Sequence, residues 1–126
     1  MNPQLLKLLW GLSICKRKSI VELQFSDFIT SGFNPVVNYL AKIHYRWGQN
    51  ADVVLRMPCG AGVGAGPFHS QTNEAWFTKT PGLIVVYPAF PYDAKGLLIS
   101  SVENPNPVLF FEHKALYRSI RGDVPE

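Results

Sequence analysis

Four short, almost uninterrupted apolar runs constrain the fold most: Ile20–Phe25 (IVELQF), Val53–Met57 (VVLRM), Leu83–Tyr87 (LIVVY) and Val108–Phe111 (VLFF). A strand that covers a core on one side alternates apolar with polar residues. Runs without that alternation suit strands buried on both faces, as in a parallel sheet sandwiched between helices. The intervening segments agree. Asn34-Pro35 is a helix start, a side-chain cap followed by a proline whose missing N–H costs nothing in the first turn. Val36, Val37, Leu40, Ile43 and His44 then recur at helical spacing as far as Gly48. Pro58 stops the second strand, Asn73–Phe77 adds a helical turn, and Pro81-Gly82 reverses the chain. Pro91–Val102 is a second helix, with Ala94, Leu97, Leu98 and Ser101 on one face and Pro105-Asn106-Pro107 ending it. The order β, α, β, loop, β, α, β predicts one α/β domain of three layers, a parallel sheet flanked by helices.

Composition narrows the partners. The chain has 126 residues, enough for one domain, and 47% hydrophobic content supplies a core. Only 17% of residues are charged, which points to surface meant to be covered by something else. The net charge of +3 is mild, and the triplet Lys16-Arg17-Lys18 suits a solvated turn better than a nucleic-acid patch. Leu5–Ile14 is apolar but too short to span a membrane, and its charges follow the apolar run, the wrong order for a secretory signal. A partly buried helix is expected there. Neither nucleic acid nor membrane is an expected partner. Cys15 and Cys59 have no metal spacing and make no disulfide framework, so a reducing compartment is the default.

The loop after the second strand carries the chemistry. Gly60, Gly62, Gly64 and Gly66 alternate with small residues, and His69-Ser70-Gln71 follows. In open α/β sheets ligands meet the carboxyl ends of the strands, and Glu112-His113 leaves the fourth strand at that same edge. Gly60–Ala65 satisfies a loose GxGxxA. A dinucleotide fingerprint must open a helix at once, however, and Pro67-Phe68-His69 follows instead. No Lys-Ser/Thr follows the glycines, which removes a P-loop. Cys59 with His69, or Ser70 with His69, lacks the strand–nucleophile–helix elbow of an activated nucleophile. A lone histidine is ordinarily a buried ring bonded to a backbone carbonyl; the position of His69, after a glycine loop at a strand's carboxyl end, favours function.

Several motifs in fixed order carry a family resemblance. Gln24-Phe25-Ser26-Asp27-Phe28, Asn38–Lys42, Tyr45-Arg46-Trp47-Gly48, Arg56-Met57-Pro58, the glycine loop, His69-Ser70-Gln71 and Glu74-Ala75 belong to the set. Pro81-Gly82-Leu83, Pro91–Leu98, Asn106-Pro107 and Glu112 complete it. From about Gly11 to Glu126 the chain resembles the β subunit of thiamine-diphosphate-dependent 2-oxo acid dehydrogenases, in particular the bacterial branched-chain (2-oxoisovalerate) type. The resemblance implies a transketolase-like pyrimidine-binding domain and the oxidative decarboxylation of a 2-oxo acid, with acyl transfer to a lipoyl carrier. It also implies an α2β2-type assembly in which an α subunit or α domain supplies the magnesium-diphosphate site, a lipoyl acyltransferase component as further partner, and a bacterial cytoplasm.

Residue by residue, the resemblance puts Gln24 and Phe28 beside the cofactor's aminopyrimidine, with Phe28 stacking on it. It makes His69 the proton donor and positioning group for acyl transfer, with Ser70 and Gln71 orienting it. It implies a structural potassium site around Ala51, Val53, Val54, Ser101, Asn104 and Asn106. Asn104 stands there for an aspartate, keeping a carbonyl oxygen and losing a charge. The family's essential glutamate corresponds to about Asn2, and asparagine cannot shuttle its proton. No Gly-Asp-Gly magnesium motif is present. The expectation is therefore a partial domain over 1–126, without the family's first strand or its C-terminal domain, inactive by itself and exposing a sheet edge.

Overall fold

The computed structural model describes residues 4, 11–13 and 15–126. Asn2 and most of Leu5–Ile14 therefore lie outside the described residues; Gly11, Leu12 and Ser13 are helical. Four strands form one sheet: β1 (Ser19–Glu22), β2 (Val53–Cys59), β3 (Ile84–Val86) and β4 (Val108–His113). All pair in parallel, in the order β1-β2-β4-β3. The helices are α1 (Ile43–Trp47), α2 (Ala75–Thr78), α3 (Pro91–Glu103) and α4 (Leu116–Ser119). A 3-10 segment, Ser26–Gly32, and a π-helical segment, Pro35–Leu40, precede α1, and a 3-10 turn, Pro67–His69, lies in the glycine loop.

Three layers are observed. On one face of the sheet Val53, Leu55, Met57, Leu109 and Phe111 meet Ile29, Val36, Leu40, Ile43 and Phe77 from the helical segments. On the other, Val54, Val108 and Phe110 pack with Ile84 and Val86 under Leu98 and Val102 of α3. Phe77, Phe110 and Phe111 are fully buried, and each side chain of this size contributes roughly 1.5–3 kcal/mol by leaving water. The central strands β2 and β4 are buried on both faces, as their unbroken apolar runs require. The edge strands are not: β1 alternates buried and exposed, and β3 is half-buried throughout.

Some boundaries differ from those expected, each for a physical reason. β1 ends at Glu22, and Leu23 N–H makes a further bond to the Arg56 carbonyl (2.9 Å) before the chain turns into Ser26–Gly32. Pro58 does not stop β2, which runs on to Cys59. Backbone groups alternate sides along a strand, so Pro58 aims its missing donor the same way as Arg56, past the end of β1. A proline is tolerated where the ladder has ended on that side. The helix expected from Asn34 to Gly48 is two pieces. Ala41 N–H donates five residues back to Val36 O (3.0 Å), and the regular helix resumes at Ile43. Asn34 is itself helical and caps nothing; its side chain instead accepts from Asn38 (2.6 Å), which accepts from Lys42 (2.8 Å). His44 is exposed rather than on the apolar face. In α3, Leu98 and Val102 face the sheet and Ser101 is buried, but Leu97 is 40% exposed.

At the reversal before β3, Gly82 has φ +94, and a Cβ there would lie 1.8 Å from the Ala41 carbonyl oxygen. The turn thus abuts the point where the π segment gives way to α1, and glycine alone fits.

Candidate functional site at the carboxyl ends of the strands

The loops leaving β2 and β4 are neighbours because those strands pair up to Cys59 and His113. Gly60 N–H donates to Gln71 O (2.9 Å), closing the glycine loop at its base, and Lys114 N–H donates to Cys59 O (3.0 Å). Gly60 has φ +80, and a Cβ would sit 2.5 Å from the His113 ring. The histidine side chain fills the space that a larger residue at 60 would need.

Within this frame three rings meet. Phe25 and Phe28 stand edge to face at 5.8 Å, and His69 contacts Phe25 at 4.8 Å and Phe28 at 5.3 Å, both near perpendicular. Lys114 Nζ lies 4.5 Å from the Phe25 ring centre and donates to the His69 carbonyl (2.6 Å). The sequence separates Phe28 from His69 by a strand, a helix and a loop, and the fold joins them. Gln24 is exposed and lines a groove of about 510 Å³ with Pro58, Gly62, Val63 and Lys114. It connects to the ring cluster through Lys114 rather than by direct contact with Phe28.

His69 is half-buried, and its Nδ1 is a buried nitrogen without a hydrogen-bond partner. The ordinary alternative, a ring bonded to a backbone carbonyl through that atom, is thus not what the fold makes. Gln71 does not touch His69 through its side chain. It donates from Nε2 (2.9 Å) and from its backbone N–H (3.2 Å) to Oδ1 of Asp27, a nearly fully buried carboxylate. Ser26 Oγ donates to Gln71 O (3.4 Å), and buried Asn73 donates to Ser26 O (3.1 Å). These bonds fasten the segment after His69 to the turn before Phe28. Asp27 is the functional residue that the sequence reading missed. Its signal was a charged residue inside an otherwise apolar run, Gln24–Ile29, and buried charges need partners.

Two further groups border the site. Cys59 is fully buried and donates to Tyr87 Oη (3.0 Å); Tyr87 stacks on His113. Burial pushes the Cys59 thiol up, and burial with the Cys59 bond pushes the Tyr87 phenol up, so both stay protonated at neutral pH. On the α3 side Arg56 makes a two-pronged bond to Glu112 (2.8 and 2.9 Å) and reaches Glu22 (3.0 Å), while Tyr117 donates to Glu112 (2.5 Å). The Glu112 bond holds the guanidinium up against its desolvation, and burial followed by the Glu112 bond pushes the Tyr117 phenol up.

The carbonyl set expected for potassium lies at the opposite, amino end of the sheet. Ala51 O accepts from Val53 N–H (2.8 Å), and Ser101 Oγ donates to Leu97 O (2.6 Å). Asn104 Oδ1 accepts from both the backbone N–H (2.9 Å) and the side chain (3.1 Å) of Asn106. Lys18 Nζ donates to Val102 O (2.6 Å) and Asn104 O (3.4 Å). With an ammonium already on these oxygens, the donor set does not fit a second cation. Among the described residues no group of three or more His, Cys, Asp or Glu could hold a metal ion, and no helix is long and apolar enough to cross a membrane.

Residues 4–120 match the family model for the transketolase pyrimidine-binding domain. The chain belongs to that family. Curated relatives agree. The chain is 46% identical over 117 residues to the 2-oxoisovalerate dehydrogenase subunit beta of Bacillus subtilis, covering 91% of this chain and 36% of the relative. It is 45% identical over 118 residues to the acetoin:2,6-dichlorophenolindophenol oxidoreductase subunit beta of Cupriavidus necator, covering 92% and 35%. It is 42% identical over 118 residues to the pyruvate dehydrogenase E1 component subunit beta of Staphylococcus epidermidis, covering 92% and 36%. The chain thus spans about a third of the length of the curated relatives it matches. In this pyrimidine-binding family the parallel sheet and the site at its carboxyl ends are the expected arrangement, and the described fold has both.

Proposed function

We propose that this domain holds the aminopyrimidine half of thiamine diphosphate for the decarboxylating component of a 2-oxo acid dehydrogenase complex. One observation carries the reading. Phe28 and His69 meet in a ring cluster beside the glycine loop, and His69 Nδ1 is buried with no partner of its own. An aromatic wall suits a flat heterocycle, and an unpartnered buried ring nitrogen is what a bound polar group would satisfy. The residues present fit the cofactor on that ground.

Phe28 provides the apolar wall and Gln24 the hydrogen-bonding edge of the groove. The cofactor, when bound, supplies the carbon nucleophile and electron sink of decarboxylation. His69 holds and delivers a proton during acyl transfer, since imidazole titrates near working pH. Asp27 and Lys114 keep it in place, through Gln71 and through the His69 carbonyl. An α subunit brings the magnesium-diphosphate half in an α2β2-type assembly, a lipoyl acyltransferase takes the acyl group, and the protein works in the bacterial cytoplasm. A branched-chain 2-oxo acid is the preferred substrate class in this reading. It is supported by the 46% identity to the 2-oxoisovalerate relative, against 42% for the pyruvate one.

The test is calorimetric titration of thiamine diphosphate into the chain mixed with the α subunit of a 2-oxo acid dehydrogenase, followed by an acyl-transfer assay. Saturable binding supports the reading, and His69→Ala should keep binding while lowering acyl transfer by about 10²-fold or more. No binding in the mixture overturns it. Binding with no turnover in the unsubstituted chain selects the second reading, a non-catalytic cofactor or interface module, which Asn2 at the glutamate's position favours.

A further inference from the structure

The triplet Lys16-Arg17-Lys18 was expected to be a solvated turn, yet its last member reaches across the fold. Lys18 Nζ donates to Val102 O and Asn104 O, 84 and 86 residues away, and lies 3.9 Å from Asp52 Oδ2. The two carbonyls belong to the end of α3, a 13-residue helix whose last turn contains no basic residue of its own. Carbonyls at a helix C-terminus are without intrahelical partners and carry the negative end of the dipole, so a cation there satisfies both demands. Asp52 precedes β2, and its backbone is held independently: its N–H donates to Ser13 Oγ (2.6 Å), and its carbonyl accepts from Ser19 N–H (3.2 Å). One ammonium therefore joins the entry to β1, the entry to β2 and the exit of α3.

We propose that Lys18 is a built-in cation that takes the place of a bound monovalent metal ion at this corner. The corner offers carbonyl oxygens and one carboxylate, the hard oxygen donors that a monovalent metal ion would take. An ammonium at hydrogen-bond distance from Val102 O leaves no room for such an ion on the same oxygen. A tethered cation also needs no capture from solution, so the fold is independent of potassium.

The exchange of Asn104 for an acid belongs to the same design. The charges facing Lys18 here are the ammonium itself and the Asp52 carboxylate. Asn104 Oδ1 is turned to its own backbone, accepting from Asn106 N–H, and leaves its carbonyl for Lys18. One positive charge thus meets one negative charge.

Thermal unfolding of the full chain decides the matter, measured in potassium chloride and in tetramethylammonium chloride at equal ionic strength. The unsubstituted chain should melt at the same temperature in both salts. Lys18→Met should melt several degrees lower in tetramethylammonium, and potassium should restore it saturably where tetramethylammonium does not. A saturable rise in melting temperature of the unsubstituted chain with potassium overturns the proposal. So does a Lys18→Met chain that melts like the unsubstituted one, or one that potassium does not restore, for then Lys18 only fastens the helix end. If Lys18→Met does not fold, the potassium titration of the unsubstituted chain decides alone.

Discussion

Lys16 has a left-handed backbone (φ 58) where the helical residues 11–13 end. Its N–H donates to Ser13 O (2.9 Å) and Arg17 N–H donates to Leu12 O (2.9 Å), the paired bonds of a Schellman motif. A Cβ in that conformation costs roughly 1–2 kcal/mol, which glycine would avoid, while glycine's extra freedom in the unfolded chain takes part of it back. Lys16→Gly should therefore raise stability by about 0.5–1 kcal/mol in urea unfolding. At Gly60 the balance is reversed. Gly60→Ala meets both a positive φ and the His113 ring, and should cost about 2–3 kcal/mol. A double-mutant cycle with His113→Ala should recover the steric share of the loss and leave the backbone share. Cys59 sets the alkaline limit. Its thiol is raised in the folded chain above its ordinary 9.0, so above about pH 9 the unfolded chain gives up a proton that the folded chain retains. The unfolded state then binds fewer protons, and stability falls as pH rises. Tyr87 and Tyr117, raised above 10.0, extend the loss in the same direction. Urea midpoints should be level from pH 7 to 8.5 and fall beyond pH 9; Cys59→Ala should delay the fall.

Across β1, β2 and β4 a ladder of charge runs Glu22–Arg56–Glu112, and its two rungs differ in burial. The Glu112 side chain is 11% exposed and that of Glu22 62%. Removing the partner of a desolvated carboxylate leaves an uncompensated charge, whereas an exposed pair is worth about 0–1 kcal/mol. Arg56→Met should thus cost about 2–3 kcal/mol by urea unfolding and Glu22→Gln under about 0.5 kcal/mol. Equal losses would show that burial does not govern the ladder. These elements also show what a sequence reveals. Val53–Met57 and Val108–Phe111 were legible because two-sided burial writes itself as an unbroken apolar run. The break at Ala41–Lys42 was not, because the same apolar spacing serves a hydrogen bond four or five residues back, and Gly82 decides it from 41 positions away. Pro58 misled for a related reason: whether a proline stops a strand depends on where its neighbour ends. Phe28 and His69 were named through family motifs. Asp27, which fastens the segment carrying His69, depends on a bond spanning 44 residues that no local pattern encodes.

At the scale of the whole chain, the low charge content becomes aromatic surface in one region. Tyr45 is 95% exposed and Trp47 66%, and Tyr39, Phe33 and Trp76 are partly exposed on neighbouring helical segments. The sheet edges are a second apolar exposure, and the expectation from sequence was association through them. Their geometry argues otherwise. β1 is four residues long and bounded by the charges of Lys18 and Glu22, while β3 is three residues long and lies between Pro81 and Pro88. Short strands, charges and prolines at an edge all oppose pairing with another chain. Large exposed aromatic side chains are by contrast the residues that dominate protein interfaces. Sedimentation velocity of the chain should show concentration-dependent association at tens of micromolar. Trp47→Arg should weaken that association strongly, while Ile20→Lys, on the outer strand β1, should leave it nearly unchanged. The opposite ranking would assign association to the strand edge, and a monodisperse single chain at every concentration would remove both surfaces as self-association sites. The two substitutions separate the causes because Ile20 and Trp47 lie on different elements, one in the sheet and one in α1.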